Sequence, residues 1–290
     1  MAAPREIVAA LKTRHLFMQK QPRRGAKAPR QVPPNAVRLL YQQTLAKLQN
    51  EVEAVIRRML FDNVEAYALS ASRARPDAAT RHDAVADDVA HAADAARAAI
   101  EDLLSPSRLR IASTGIANRV NAHNRAQVSR QTRAVLGIDV LSHEPWAPGA
   151  VAGFVRDNTR LIRSLGKRQV DRVEGVILSG IRSGRRAESM SKEIQDRFGV
   201  EARSAALIAR DQVNKLNGEI NQLRQTSIGI TDYTWRSVGD DKVRDLHEEY
   251  DGETFAWNAP PSDGHPGEAI NCRCTAEPNF DGLLGIAEEP

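Results

Sequence analysis

Apolar residues recur in alternating steps of four and three through two long stretches of this chain, and that rhythm narrows the fold more than any other feature. The first series is Tyr41, Leu45, Leu48, Val52, Val55 and Met59. The second is Ala202, Ala206, Ala209, Val213, Leu216, Ile220 and Leu223. Side chains at this spacing fall on one face of an α-helix, and each stripe needs a partner helix. The first stripe runs under three heptads, so packing within the chain is expected ahead of oligomerisation. Only 4% of the 290 residues are aromatic, while alanine and arginine abound, which suits long helices better than a sandwich or barrel. The expected fold is mainly α, with long helices in the N-terminal and middle regions and a small C-terminal α+β module.

Proline and glycine divide the chain further. Pro22, Gly25, Pro29, Pro33 and Pro34 make residues 1–35 a basic flexible arm. A helical region over 36–145 holds a helix from Ala36, an alanine-rich acidic helix over 77–104 and an arginine-rich one over 106–136, ended by Gly137. The acids of 77–104 are expected to face the arginines of 106–136. Pro145, Pro148 and Gly149 mark a break. Region 146–230 is read as three helices, over 158–180, 186–198 (stopped by Gly199) and 201–227. The last carries a polar face of Arg210, Asp211, Asn214, Asn217 and Asn221. Region 231–278 is read as a strand at 233–237, a short helix at 241–249 capped by Asp240, a second strand at 253–257 and a loop over 258–278. Residues 279–290 form a tail.

Charge is distributed unevenly. Residues 1–38 carry nine Lys/Arg against the single acid Glu6, a net +8, whereas the whole chain is only +4. A basic arm on a mildly acidic body suits a polyanion or an acidic protein surface, and a solvated tail that aids solubility is the plainer alternative. Arg23, Arg24, Lys27 and Arg30 are the candidate polyanion contacts. No apolar run approaches the roughly 20 residues of a membrane span, and no signal peptide is read at the N-terminus. Two cysteines do not make a secreted disulfide framework, so a reducing cytoplasm is the expected site of synthesis.

Those two cysteines, Cys272 and Cys274, sit one residue apart in the last fifth of the chain, downstream of His247 and His265. Two thiolates and two imidazoles are a ligand set that zinc prefers in closed structural sites, so His247, His265, Cys272 and Cys274 are the candidate metal ligands and one structural Zn2+ the candidate cofactor. Two other readings stay open: a hydrogen-bonded structural cluster, and a catalytic thiol or histidine. A Cys272–Cys274 disulfide would close a very small strained ring. No phosphate-binding glycine loop, dinucleotide fingerprint, H-E-x-x-H helix or G-x-S-x-G elbow accompanies the cluster, so no second enzyme signature supports catalysis. Arg236 and Arg244 are expected to join Asp240 in a structural polar network. Trp235, Phe255 and Trp257 are expected to be the small core of this module.

The string Ala209-Arg210 through Asn217-Gly218, then Trp235, Asp240-x-x-Val243-Arg244-x-x-His247, Asp251-Gly252, His265-Pro266 and Asn271-Cys272-Arg273-Cys274 resembles the phage Mu F-like head morphogenesis family, over residues 150–278. Where many members read Ala-Arg-Thr-Glu, this chain has Ala209-Arg210-Asp211-Gln212, and Gly267-Glu268-Ala269-Ile270 separate Pro266 from Asn271. The resemblance implies a minor capsid protein, present in few copies at the portal vertex or capsid interior after assembly in the host cytoplasm. Its implied partners are the portal protein, the major capsid or scaffold protein, and double-stranded DNA, with no membrane. It transfers no catalytic residue, and a non-enzymatic role is expected. The alternative is a zinc- or histidine-dependent hydrolase or nuclease acting in the head.

Overall fold

The computed structural model describes residues 28–73, 79–141 and 143–281. Its helices are α1 (Asn35–Met59), a 3-10 turn (Phe61–Asn63), α2 (Val64–Ser72), α3 (Ala79–Leu103), α4 (Pro106–Leu136), α5 (Ala147–Arg182), α6 (Ala187–Ser227) and α7 (Asp245–Glu249). Three short strands, β1 (Asp232–Arg236), β2 (Thr254–Ala256) and β3 (Thr275–Pro278), form an antiparallel sheet in the order β2-β1-β3. The fold is thus mainly helical with a small C-terminal sheet, as the composition and periodicity predict.

The chain forms two compact units, neither of them continuous in sequence. One gathers residues 41–113 and 155–209. Its core takes the first stripe, with Tyr41, Leu45, Leu48, Val52 and Ile56 buried. The stripe closes on Ile56 and Leu60 rather than on Val55 and Met59, because 3.6 residues per turn drift away from a strict heptad over six turns. On α3 the buried line is Val85, Val89, Ala93, Ala96 and Ile100. Among the described residues, the expected acid–arginine match between 77–104 and 106–136 does not form. Glu101 pairs with Arg163 on α5, Arg108 with Glu51 on α1, and Arg97 on α3 with both Asp171 and Glu174 on α5. Exposed ion pairs contribute under about 1 kcal/mol, too little to choose a helix's neighbour; the buried apolar line decides it.

The α5 and α6 boundaries also differ from the sequence reading. α5 begins at Ala147, well before 158, because Pro148 in a first turn gives up an N–H that has no helical partner there. α6 runs unbroken through Gly199 to Ser227, since one glycine costs about 1 kcal/mol and tertiary burial of Ile194, Phe198 and Ala205 outweighs it. Gly184, at φ 66°, does separate the two helices.

The other unit gathers the described parts of 28–40, 114–154 and 210–281. Here residues 28–34 are an extended segment pinned by amides, although the sequence reads them as the end of a flexible arm. Gln31 is buried; its backbone N–H donates to Glu277 Oε1 (3.1 Å), and its side chain donates to Asn221 Oδ1 (2.9 Å) and Gln131 Oε1 (3.3 Å). The Val32 N–H donates to Gln127 Oε1 (2.6 Å), and the Gln127 amide donates back to the Val32 carbonyl (2.7 Å). Proline-rich composition excludes a helix, yet it does not exclude an extended strand whose backbone is satisfied by side chains.

Candidate functional site: a buried His/Cys/Cys cluster

β1 is the spine of the C-terminal module. Tyr233 and Trp235 are fully buried on one of its faces and pack with Trp257, Cys272, Cys274 and Ala276. The Trp235 N–H donates to the Glu253 carbonyl (2.8 Å), and Trp235 Cα lies opposite Ala276 of β3. β3 is the element missing from the sequence reading, which makes 258–278 mostly loop. Its four residues are buried and alternate too little to signal a strand, and pairing with β1 supplies the order.

α7 starts at Asp245, not at 241. Asp240 caps a turn instead, accepting the Lys242 N–H at Oδ1 (3.1 Å) while its carboxylate grips the Arg273 guanidinium. α7 carries His247 inward, 2% exposed. There its Nδ1 lies 3.7 Å from Cys272 Sγ and 3.6 Å from Cys274 Sγ. All three ligand atoms fall within 4.8 Å of one another. They form a group able to hold a metal ion.

His265 does not join them. Its Nδ1 sits 2.9 Å from the Tyr233 hydroxyl, and its ring packs edge-on against Tyr233. The turn containing Gly267-Glu268-Ala269-Ile270 supplies the reason: Glu268 accepts the His265 N–H (2.8 Å) and holds that histidine at the far end of the loop. Burial lowers the His265 pKa against the pull of Glu268, which favours a neutral ring. The expected polar network likewise separates into three. Arg236 pairs with Glu277 (2.7 Å), Asp240 with Arg273, and Arg244 with Asp263 (3.3 Å).

The residues present fit zinc on three counts. A tetrahedron with Zn–S of about 2.3 Å and Zn–N of about 2.0 Å places S and N about 3.5 Å apart, close to the spacing seen here. His247 Nε2 lies 2.6 Å from Asp263 Oδ2, the carboxylate partner that orients a ligating imidazole. A backbone N–H faces one of the sulfurs: the Gly267 N–H donates to Cys272 Sγ (3.4 Å). A hydrogen bond from Cys274, opposed by burial and aided by the Gly267 N–H and His247, holds the Cys272 thiol down at about 6. The bond to Cys272, together with burial, pushes Cys274 up. A divalent cation held by the three ligand atoms would tie α7 to the C-x-C loop.

The polar face of α6 turns out to be the frame of this loop. The Asn214 side chain donates to the Cys272 carbonyl (2.8 Å), and that of Asn221 to the Ala276 carbonyl (2.7 Å). Asp211 accepts the Asn271 N–H (2.8 Å), and Arg210 Nε donates to Asn271 Oδ1 (3.1 Å). The polar stripe is thus a ladder of side-chain contacts to the C-x-C segment and β3. Asp263 and Tyr233 also escape the sequence reading, since each finds its histidine only through the fold. Of the proposed polyanion contacts, Arg30 donates to the Ser237 carbonyl (2.9 Å), while Arg23, Arg24 and Lys27 lie outside the described residues.

Gly218 lets α6 approach the loop. A Cβ there would meet the Pro266 carbonyl oxygen at 2.6 Å, and one on Gly267 would meet the Asn214 carbonyl oxygen at 2.9 Å. Gly218→Ala is expected to destabilise the chain by about 1–3 kcal/mol despite alanine's better helix propensity. Urea denaturation checks this, and a stabilised variant would contradict the close approach.

Residues 171–277 match the family model described as "Phage Mu protein F like protein", a span that includes His247, Cys272 and Cys274. A Haemophilus influenzae protein, described only as an uncharacterized protein, is 33% identical over 173 residues. The match covers 58% of this chain and 39% of that protein, so the chain spans about two-fifths of its relative's length. No solved structure matches. The helix that frames the C-x-C loop, the β1 spine and the cluster itself all fall inside the matched segment, so residues 171–277 are similar to phage Mu protein F-like proteins.

Proposed function

We propose that this chain is a minor head protein in tailed-phage morphogenesis. In this reading its C-terminal module is a zinc-fastened, non-enzymatic docking element. The observation that carries the reading is the convergence of buried His247, Cys272 and Cys274 within the family-matched segment. Zinc in such a site supplies folding free energy, which suits a rigid module in an assembly. The portal or procapsid is the proposed partner. The net +8 of residues 1–38 supports contact with packaged double-stranded DNA or with an acidic ring, and the capsid interior or portal vertex is the proposed location.

A second reading, a metal-dependent hydrolase or nuclease, is favoured by one observation. The triad offers three protein ligands, as catalytic zinc sites do, and borders a cavity. The two separate on one set of measurements. Mass spectrometry and cross-linking of heads and procapsids from the encoding phage or prophage are expected to find the chain in few copies, bound to portal subunits. Absence from both particles, or nuclease turnover abolished by His247→Ala in a folded chain, overturns the structural reading.

A further inference from the structure

A cavity of about 230 Å³ opens beside the triad, and His247, Cys272 and Cys274 line it together with Arg210, Lys242, Arg244 and Arg273. Four cationic side chains from three separate segments (α6, the loop before α7 and the C-x-C loop) converge on one small volume. Two of them are already paired: Arg273 with Asp240, and Arg244 with Asp263. Arg210 spends its Nε on the neutral Asn271 amide, and among the described residues neither Arg210 nor the Lys242 ammonium makes a hydrogen bond or ion pair to a carboxylate. Burial, together with the neighbouring Arg273 and Arg38 charges, outweighs the nearby Asp211 and Asp240 carboxylates and lowers the Arg210 pKa. Asn271, on the cavity wall, is a non-glycine residue held at positive φ (60°), and its backbone and side chain are both tied to α6. The backbone is therefore fixed where the arginine must point.

We propose that this cavity binds a phosphate-type oxyanion, clamped by Arg210 and Lys242, with one oxygen facing the open side of the His/Cys/Cys triad. The oxygen contact to a metal rests on the zinc reading above; the cationic clamp does not. Two thiolates and a neutral imidazole cancel the charge of a dication, so the attraction for the anion comes from Arg210 and Lys242. A guanidinium and an ammonium together suit phosphate, the first through planar paired donors and the second as a point charge. A cavity of this volume holds a phosphate group with a few waters, which favours inorganic phosphate or a terminal phosphate monoester over a threaded polymer backbone.

The test is calorimetric titration of the full chain with inorganic phosphate at low ionic strength, with zinc content measured on the same samples. Lys242 is exposed on its loop, so Lys242→Ala leaves the core intact. Lys242→Ala and Arg210→Gln are each expected to weaken phosphate by about tenfold or more, as loss of a charged hydrogen bond does, with zinc content unchanged. Lys192→Ala, an exposed charge on the other unit, is expected to change nothing. A 5′-phosphorylated oligonucleotide that binds better than its dephosphorylated twin identifies a nucleic-acid end as the source. Equal binding of the two, beside a clear phosphate isotherm, identifies the free ion. A zinc-containing chain that does not bind phosphate above chloride, or variants that bind as wild type does, sinks the proposal while leaving the zinc reading intact. A zinc-free preparation that binds phosphate through Lys242 removes the metal contact and keeps the clamp.

Discussion

Chelation of the purified chain is expected to release about one zinc per chain and to melt the segment 232–278 well before the remaining helices. A structural zinc contributes on the order of 10 kcal/mol to a small module, comparable with the whole stability of an ordinary domain. Here the module's own core is thin, namely Tyr233, Trp235 and Trp257 packed on the two cysteines and Ala276. His247 lies edge-on to the Trp235 ring, 4.9 Å between centroids, so release of the metal should alter tryptophan fluorescence as α7 swings free. Cys272→Ala is expected to reproduce the chelated state and to abolish the response to added zinc. Asp263→Asn is expected to keep the fold and weaken zinc by about 10–100-fold, because it removes the orienting carboxylate and keeps every ligand. Metal analysis by mass spectrometry, with thermal melts followed by fluorescence, reads all three. Melting of Cys272→Ala indistinguishable from wild type with zinc would refute a structural metal.

The second large effect is expected at Arg224, which is fully buried. Its guanidinium meets Glu144, Asn124 and Asn121 (2.7 Å) and stacks over Trp146 at 5.1 Å. Arg224→Met is expected to cost about 3–5 kcal/mol, because Glu144, with 9% side-chain exposure, then keeps only the half-exposed Arg125. Glu144→Gln combined with Arg224→Met is expected to recover much of that loss, since no charge is left buried. Burial raises the Glu144 pKa, but the hydrogen bonds and charges of Arg224 and Arg125 outweigh it and hold the carboxyl below its ordinary value of 4.5. A depressed folded pKa stabilises the fold at every pH above that ordinary value. The contribution fades as acid carries the pH down through the folded pKa. Glu144→Gln should therefore flatten the acid limb of a stability–pH curve measured in urea; an unchanged limb would show that the pair is not linked to folding.

The sequence carried the helices because helical periodicity is local. The four-three stripe of α1, the alanine-rich α3 and the bounds of α4 follow from residues close together in the chain. The ends of α5 and α6 were less legible, since Pro148 and Gly199 are helix breakers only when burial does not outweigh them. β3 was invisible because a short, fully buried strand has no alternation to detect.

Residue type determined which chemistry the C-terminal tail could perform. Two cysteines and a histidine in a chain otherwise poor in soft ligands point to a metal group wherever they meet. Which histidine meets the cysteines was decided only by the tertiary structure. His247 arrives on α7 and is oriented by Asp263, whereas the loop through Glu268 carries His265 to Tyr233. The same holds for Arg210, Asn214 and Asn221, whose spacing fixes a common helix face but not what that face meets. Local sequence sets the direction in which a side chain leaves its helix. Contacts between residues 50 or more positions apart depend on how distant segments close against one another, and that is a property of the packed chain.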